Sequence, residues 1–198
     1  MVIAVILILF GITFGISRGV QNAQARTKAK AELAAIAQGL EQFKAAHGDY
    51  PWAAETAIGG AAGRNANSNQ LLRALMGWMK FERTGTTVNF TLKATDEVPS
   101  EGPRSYIDPT KLGLSDPDTL SLSLPPDELY LTDPWGNAYV YLYRTDDSAE
   151  WENFGYILFS MGPDGTLSTS GLDLNKGTMT RAHRDQEQEN FDNIHAGE

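Results

Sequence analysis

The feature that most constrains this chain lies in its first 47 residues, which read as one helix with two unlike halves. Met1 to Ile16 (MVIAVILILFGITFGI) carries no charge and only one hydroxyl, Thr13. The composition then changes abruptly to SRGVQNAQARTKAKAELAAIAQGLEQFKAAHG. In this second half Leu33, Ile36, Ala37, Leu40, Phe43 and His47 recur at helical spacing on one face. No proline interrupts residues 1–47, Gly48 stands where a helix C′ residue is expected, and Pro51 follows shortly. A helix of that length runs about 70 Å, far more than a small domain needs. A helix apolar at one end and amphipathic at the other suits a chain that leaves a membrane and packs into something else.

The rest of the 198 residues can form one modest core, so a single globular head behind the helix is expected. There is no cysteine, which excludes a disulfide scaffold, a thiolate zinc site and a cysteine nucleophile. Formal charge is −9 and unevenly placed: residues 1–47 hold five basic and two acidic residues, +3, and the remainder carries −12. An acidic head without a basic, aromatic-interleaved patch argues against nucleic acid as a partner.

The apolar run is slightly shorter than the ~20 residues that cross a bilayer core. It lacks the basic leader of a secretory signal, and Ile16-Ser17-Arg18-Gly19 is a poor cleavage site. A buried core helix rarely stays apolar on every face for four turns. A retained, single-pass membrane anchor is the expectation. The positive-inside rule alone would put the head in the cytoplasm, unless residues preceding Met1 carry more positive charge.

Three segments resemble a known family. MVIAVILILFGI leading into an Ala-rich amphipathic helix and HGDYPW is similar to the start of type IV pilins, and more closely of the major pseudopilins of type II secretion. Asp133-Pro134-Trp135-Gly136-Asn137-Ala138-Tyr139 resembles their DPWGNPY segment, and Phe159-Ser160-Met161-Gly162-Pro163-Asp164-Gly165 their SLGADG. The match covers about residues 1–52 and 130–175, in the family's order. It implies an α+β, type IV pilin-like fold: a long N-terminal helix whose apolar half protrudes and whose amphipathic half packs on a small antiparallel sheet, with a C-terminal metal-type loop. The corresponding division is 1–20 apolar helix half, 21–48 amphipathic half and 49–198 head. Within the head it sets 53–130 as variable region, 131–160 as hairpin, 161–175 as calcium loop and 176–198 as polar tail.

Function follows from the resemblance in the same way. It implies a homo-oligomeric helical filament, most simply a periplasmic pseudopilus serving type II secretion. Its subunits would wait in the bacterial inner membrane and meet other pilin-like subunits and the secretion machinery. In the filament core Val2, Val5, Ile6, Leu9, Phe10, Ile12, Phe14 and Ile16 would pack between subunits. The family's Phe-Thr-Leu start, its early Glu and its proline late in the apolar half have no counterpart here. Gly11 and Gly15 are therefore the helix-weakening positions, and any loosening on assembly is expected between Gly11 and Ser17. An extracellular pilus subunit, or a minor pilin-like anchored binding module, is the alternative.

Further along, 53–69 reads as a small-residue loop and 70–81 as a short helix capped by Asn69, with Leu71, Leu72, Leu75, Met76 and Met79 as core. Residues 83–98 read as a hairpin with Val88, Phe90 and Leu92 alternating, and 99–126 as a proline-rich surface loop. Residues 138–144 and 154–160 read as a hairpin with one face on the long helix, entered through the 133–137 turn. Residues 161–175 gather Asp164, Thr166, Ser168, Ser170, Asp173 and Asn175 around glycines. Hard oxygens on a loop suit calcium, but the spacing is not an EF-hand, and on residue chemistry alone the loop reads as solvated. The resemblance tips this toward a calcium ion held by the Met161 carbonyl, Asp164 and Asp173, with Asn175 beside them and Asp192 from a later Asp-Asn-Ile element. No nucleophile elbow, zinc motif or phosphate loop occurs, and His47, His183 and His195 are scattered, so no enzyme is expected.

Overall fold

The computed structural model describes residues 2–54, 58–180 and 193–197, with side-chain surroundings from Val20 onward. Helix α1 (Val2–His47) is followed by α2 (Ala61–Leu75), the hairpin β1 (Met79–Thr84) and β2 (Thr87–Leu92), and three single 3-10 turns at Thr95–Glu97, Pro109–Lys111 and Pro117–Thr119. Short strands complete the chain: β3 (Val140–Leu142), β4 (Ile157–Ser160), β5 (Leu172–Asp173), β6 (Thr178–Met179) and β7 (Ile194–His195). The described strands form three antiparallel sheets, β1-β2, β3-β4-β7 and β5-β6. The fold is α+β, with a long N-terminal helix and small antiparallel sheets.

The amphipathic stripe of α1 does what its spacing demands. Leu33, Ile36, Leu40 and Phe43 are fully enclosed, joined by Ala29. The helix stops at Gly48, whose φ of 87° is left-handed and whose N–H bonds the Lys44 carbonyl at 2.7 Å. His47 stacks on Phe43 and bonds the Tyr106 hydroxyl at 2.9 Å, a structural place for a histidine at a helix end.

Two sequence expectations fail at α2. The helix runs over Ala61–Leu75 rather than 70–81, and Asn69 sits inside it instead of capping it. Its first half shows no apolar stripe because its buried face is polar. Asn67 accepts from the Tyr141 N–H at 3.0 Å, Ser68 donates to the Leu131 carbonyl at 2.8 Å, and Asn69 donates to the Leu129 carbonyl at 2.6 Å. Tertiary partners replace the local ones that usually draw such residues out of helices. Leu71, Leu72, Leu75 and Met76 are core as expected, and Met79 is core from β1.

The first hairpin starts earlier than expected and turns at Gly85. Phe81 faces Phe90, and Val88 and Phe90 are half-buried. Leu92 is 41% exposed at the end of its strand, opposite the buried Met79. The 99–126 segment forms no strand, but it is more than surface. Tyr106 N–H bonds the Leu75 carbonyl at 2.7 Å, and Ile107 lies so close over Gly39 of α1 that a Cβ there would sit 2.5 Å from it.

The second hairpin is shorter than expected, and Phe154 stands fully exposed outside β4. The sheet is buried on both faces rather than one. Tyr139, Tyr141, Tyr143 and Leu158 join the cluster around α1 and α2. Val140, Leu142, Ile157 and Phe159 form a second cluster with Met161, Leu172 and Ile58. This second face is where the 161–175 loop is seated.

Candidate functional site: the 133–137 turn and the 161–175 loop

The two segments are separate in sequence, with Asn137 and Gly162 25 residues apart, yet the fold ties them into one unit. Asp133 is buried at the start of the turn. Its Oδ1 accepts the N–H groups of Trp135 (3.0 Å) and Asn137 (2.9 Å), and its Oδ2 accepts the Ser160 hydroxyl at 2.6 Å. Burial raises the Asp133 carboxyl above the ordinary aspartate value, outweighing the hydrogen bonds that pull it down. Ser160 Oγ also accepts the Gly162 N–H, and Asn137 Nδ2 donates to the Gly162 carbonyl at 2.9 Å. Gly165, at φ 64°, lies against Asn137 with no room for a Cβ. On its other side, Trp135 donates its indole N–H to Asn22 Oδ1 on α1 at 3.1 Å.

Beyond this junction the loop is held from outside. The Trp151 ring covers Gly177 so closely that a Cβ there would lie 2.3 Å from it. The Glu152 N–H bonds the Lys176 carbonyl at 2.8 Å, and Lys176 pairs with Glu152.

Among the expected ligands, Met161 is buried in the second cluster. Asp164 is exposed and its Oδ1 accepts the Thr166 N–H at 2.9 Å. Asp173 lies in β5, where its Oδ1 accepts the N–H groups of Asn175 (3.0 Å) and Lys176 (3.1 Å); Asn175 is exposed beside it. Asp192 lies outside the described residues. Among the described residues no group of three or more acidic or histidine side chains is placed to hold a metal ion. Calcium takes six to eight oxygens, so the described carboxylates alone do not make its shell. Backbone carbonyls and Asp192 would have to complete it.

The packing of residues 1–19 is likewise outside the described side chains, and with it the filament-core set Val2, Val5, Ile6, Leu9, Phe10, Ile12, Phe14 and Ile16 and the weak points Gly11 and Gly15. Among the described residues no helix is long and apolar enough to cross a membrane.

One polar residue escaped the sequence reading. Glu32 is buried on the apolar face of α1, where its carboxylate accepts the Tyr139 hydroxyl at 2.7 Å and the Gly113 N–H at 3.2 Å, with Lys28 at 3.7 Å. Burial, with the hydrogen bond and charge of Glu32 added to it, holds the Tyr139 phenol far above its ordinary value. The signal was present: position 32 falls between Ala29 and Leu33 on the stripe. A parallel tie lies at the other end of the helix, where Tyr143 donates to Asp49 (2.6 Å) and Tyr50 to Glu41 (2.7 Å).

Comparison of the chain with known protein families, with curated proteins and with solved structures finds no match.

Proposed function

We propose that this chain is a structural subunit of a helical, type IV pilus-like filament, of the pseudopilin kind that serves protein secretion. The observation that carries the reading is how α1 leaves the head. The helix is continuous over Val2–His47, yet among its residues with described side chains, from Val20 on, the first buried one is Ala29, and Val20–Lys28 has no buried side chain. A protein spends a helix this way when the protruding part has another place to go. Here the place is a bilayer before assembly and a bundle of like helices afterwards, packed through Val2, Val5, Ile6, Leu9, Phe10, Ile12, Phe14 and Ile16. The head then forms the outer shell, with the 133–137 turn bracing the helix where it emerges.

The reading places the subunit in the bacterial inner membrane first and in a periplasmic or extracellular polymer later, beside other pilin-like subunits and the export machinery. It includes a calcium ion on the 161–175 loop, ordered by backbone carbonyls together with Asp164, Asp173 and Asp192. It assigns no catalysis.

Electron microscopy of the native or overexpressed assembly, with and without a calcium chelator, tests both parts. Regular thin filaments that fray on chelation are the expected result. Filaments indifferent to the chelator would remove the calcium ion and leave the filament. A monodisperse detergent-solubilised monomer that never polymerises would remove the filament.

A further inference from the structure

Two surfaces of this molecule are uncovered among the described residues and complementary to each other. The first is the solvent face of α1, where Ala23, Arg26, Thr27, Lys30 and Ala34 are all exposed. Among the described residues neither Arg26 nor Lys30 has an ion-pair partner, whereas Lys28 is engaged by Glu32. Exposed Ala23 and Ala34 flank the two cations on that face and leave shallow apolar ground on either side of them.

The second surface is the loop 114–124. Asp116 caps the turn at Pro117–Thr119 and Asp118 lies within it, both exposed and both without an ion-pair partner among the described residues. Leu122 and Leu124 follow at 56% and 58% exposure, where solvent exposure of leucine is unfavourable. The backbone of this loop is pressed against the 99–102 turn: a Cβ on Gly102 would lie 2.0 Å from the Leu122 carbonyl. The two leucines are thus presented on a supported segment.

We infer that the 114–124 loop of one copy docks on the Arg26–Lys30 face of α1 in a second copy. The inference deepens the filament reading and rests on it. Asp116 and Asp118 meet Arg26 and Lys30, and Leu122 and Leu124 cover the alanine ground beside them. Opposite charge steers and orients the contact, and the leucines supply the apolar burial. The second copy is the occupant because one chain carries both halves, with +3 on residues 1–47 and −12 on the rest. The contact joins two different surfaces, so it repeats head to tail and leaves an open polymer.

The absence of native cysteine makes the test direct. Full-length Lys30→Cys and Asp118→Cys chains are mixed, assembled and oxidised, with Lys30→Cys plus Glu150→Cys as control. Because disulfides form only between Cα atoms within about 7 Å, the first mixture should give about tenfold more mixed dimer than the control. The yield should collapse near 1 M salt, where the screening length is about 3 Å, and in L122S/L124S. Filaments without the mixed dimer overturn the docking and leave the filament reading. Mixed dimer without filaments supports the docking and overturns the filament reading. Neither product overturns both.

Discussion

The two faces of the β3-β4 sheet are built differently. On the α1 side three tyrosines alternate over 139–143, the middle one in β3, and each phenol has a fixed acceptor: Tyr139 on Glu32, Tyr141 on the Pro51 carbonyl at 2.8 Å, and Tyr143 on Asp49. On the loop side Val140, Leu142, Ile157 and Phe159 have Ile58, Met161 and Leu172 as their buried partners among the described residues. The first face combines area with direction and sets the helix at one angle and register on the sheet. The second has a small apolar footing and leaves the position of the 161–175 loop to Asp133, Asn137, Ser160 and the Trp151 clamp. The head is therefore stiffest where it grips the helix, and the loop is an attachment with its own local stability.

The largest effects come from removing apolar footing on each side. Leu40→Ala, on the helix side, should cost about 2–5 kcal/mol of global stability, read as a shift in the urea midpoint. Leu172→Ala should move that midpoint little and instead raise amide exchange across 161–179. Equal midpoint shifts for the two variants would end the distinction.

Gly177→Ala should come next. It places a methyl group against Trp151 at a left-handed φ of 65°, with a cost of about 1–3 kcal/mol confined to the loop. Altered Trp151 fluorescence and faster proteolysis within 161–179, with α1 still protected, are the expected readouts. Loss of α1 protection in the same variant would show that loop and helix unfold as one.

A smaller effect separates the junction by pH. The folded value of the Asp133 carboxyl is raised, so its protonated form favours the fold. Its contribution is complete below the ordinary aspartate range and is lost as pH rises through the raised value. The difference between the urea-midpoint profiles of the wild type and Asp133→Asn should therefore contain a step in that window. Parallel profiles would mean that Ser160 and the turn amides cancel the burial.

The smallest effect belongs to the neck. Trp135→Phe removes one partly exposed hydrogen bond to Asn22 and should cost at most about 1 kcal/mol, with α1 exchange rising only near residue 22.

Much of this was legible beforehand where local chemistry and burial agree. The stripe Leu33, Ile36, Leu40 and Phe43, the Gly48 stop, the Asp133–Asn137 turn and the pairing of two β-rich segments all follow from period, left-handed glycine and turn-forming side chains. The first half of α2 was hidden because Asn67, Ser68 and Asn69 read as loop formers until remote carbonyls and an amide satisfy them. Glu32 was hidden because charge on an apolar face reads as an exception until Tyr139 and Gly113 arrive. The 161–175 loop was legible as a cluster of oxygens, but not as Asx turns in which Asp164 and Asp173 hold backbone amides. Sequence alone determined a long two-part helix and an acidic head, because periodicity and charge belong to the chain itself. Only the tertiary structure decided which polar residues go inside and which loop leans on which turn. Those choices depend on hydrogen-bond partners that the chain brings together only once it has folded.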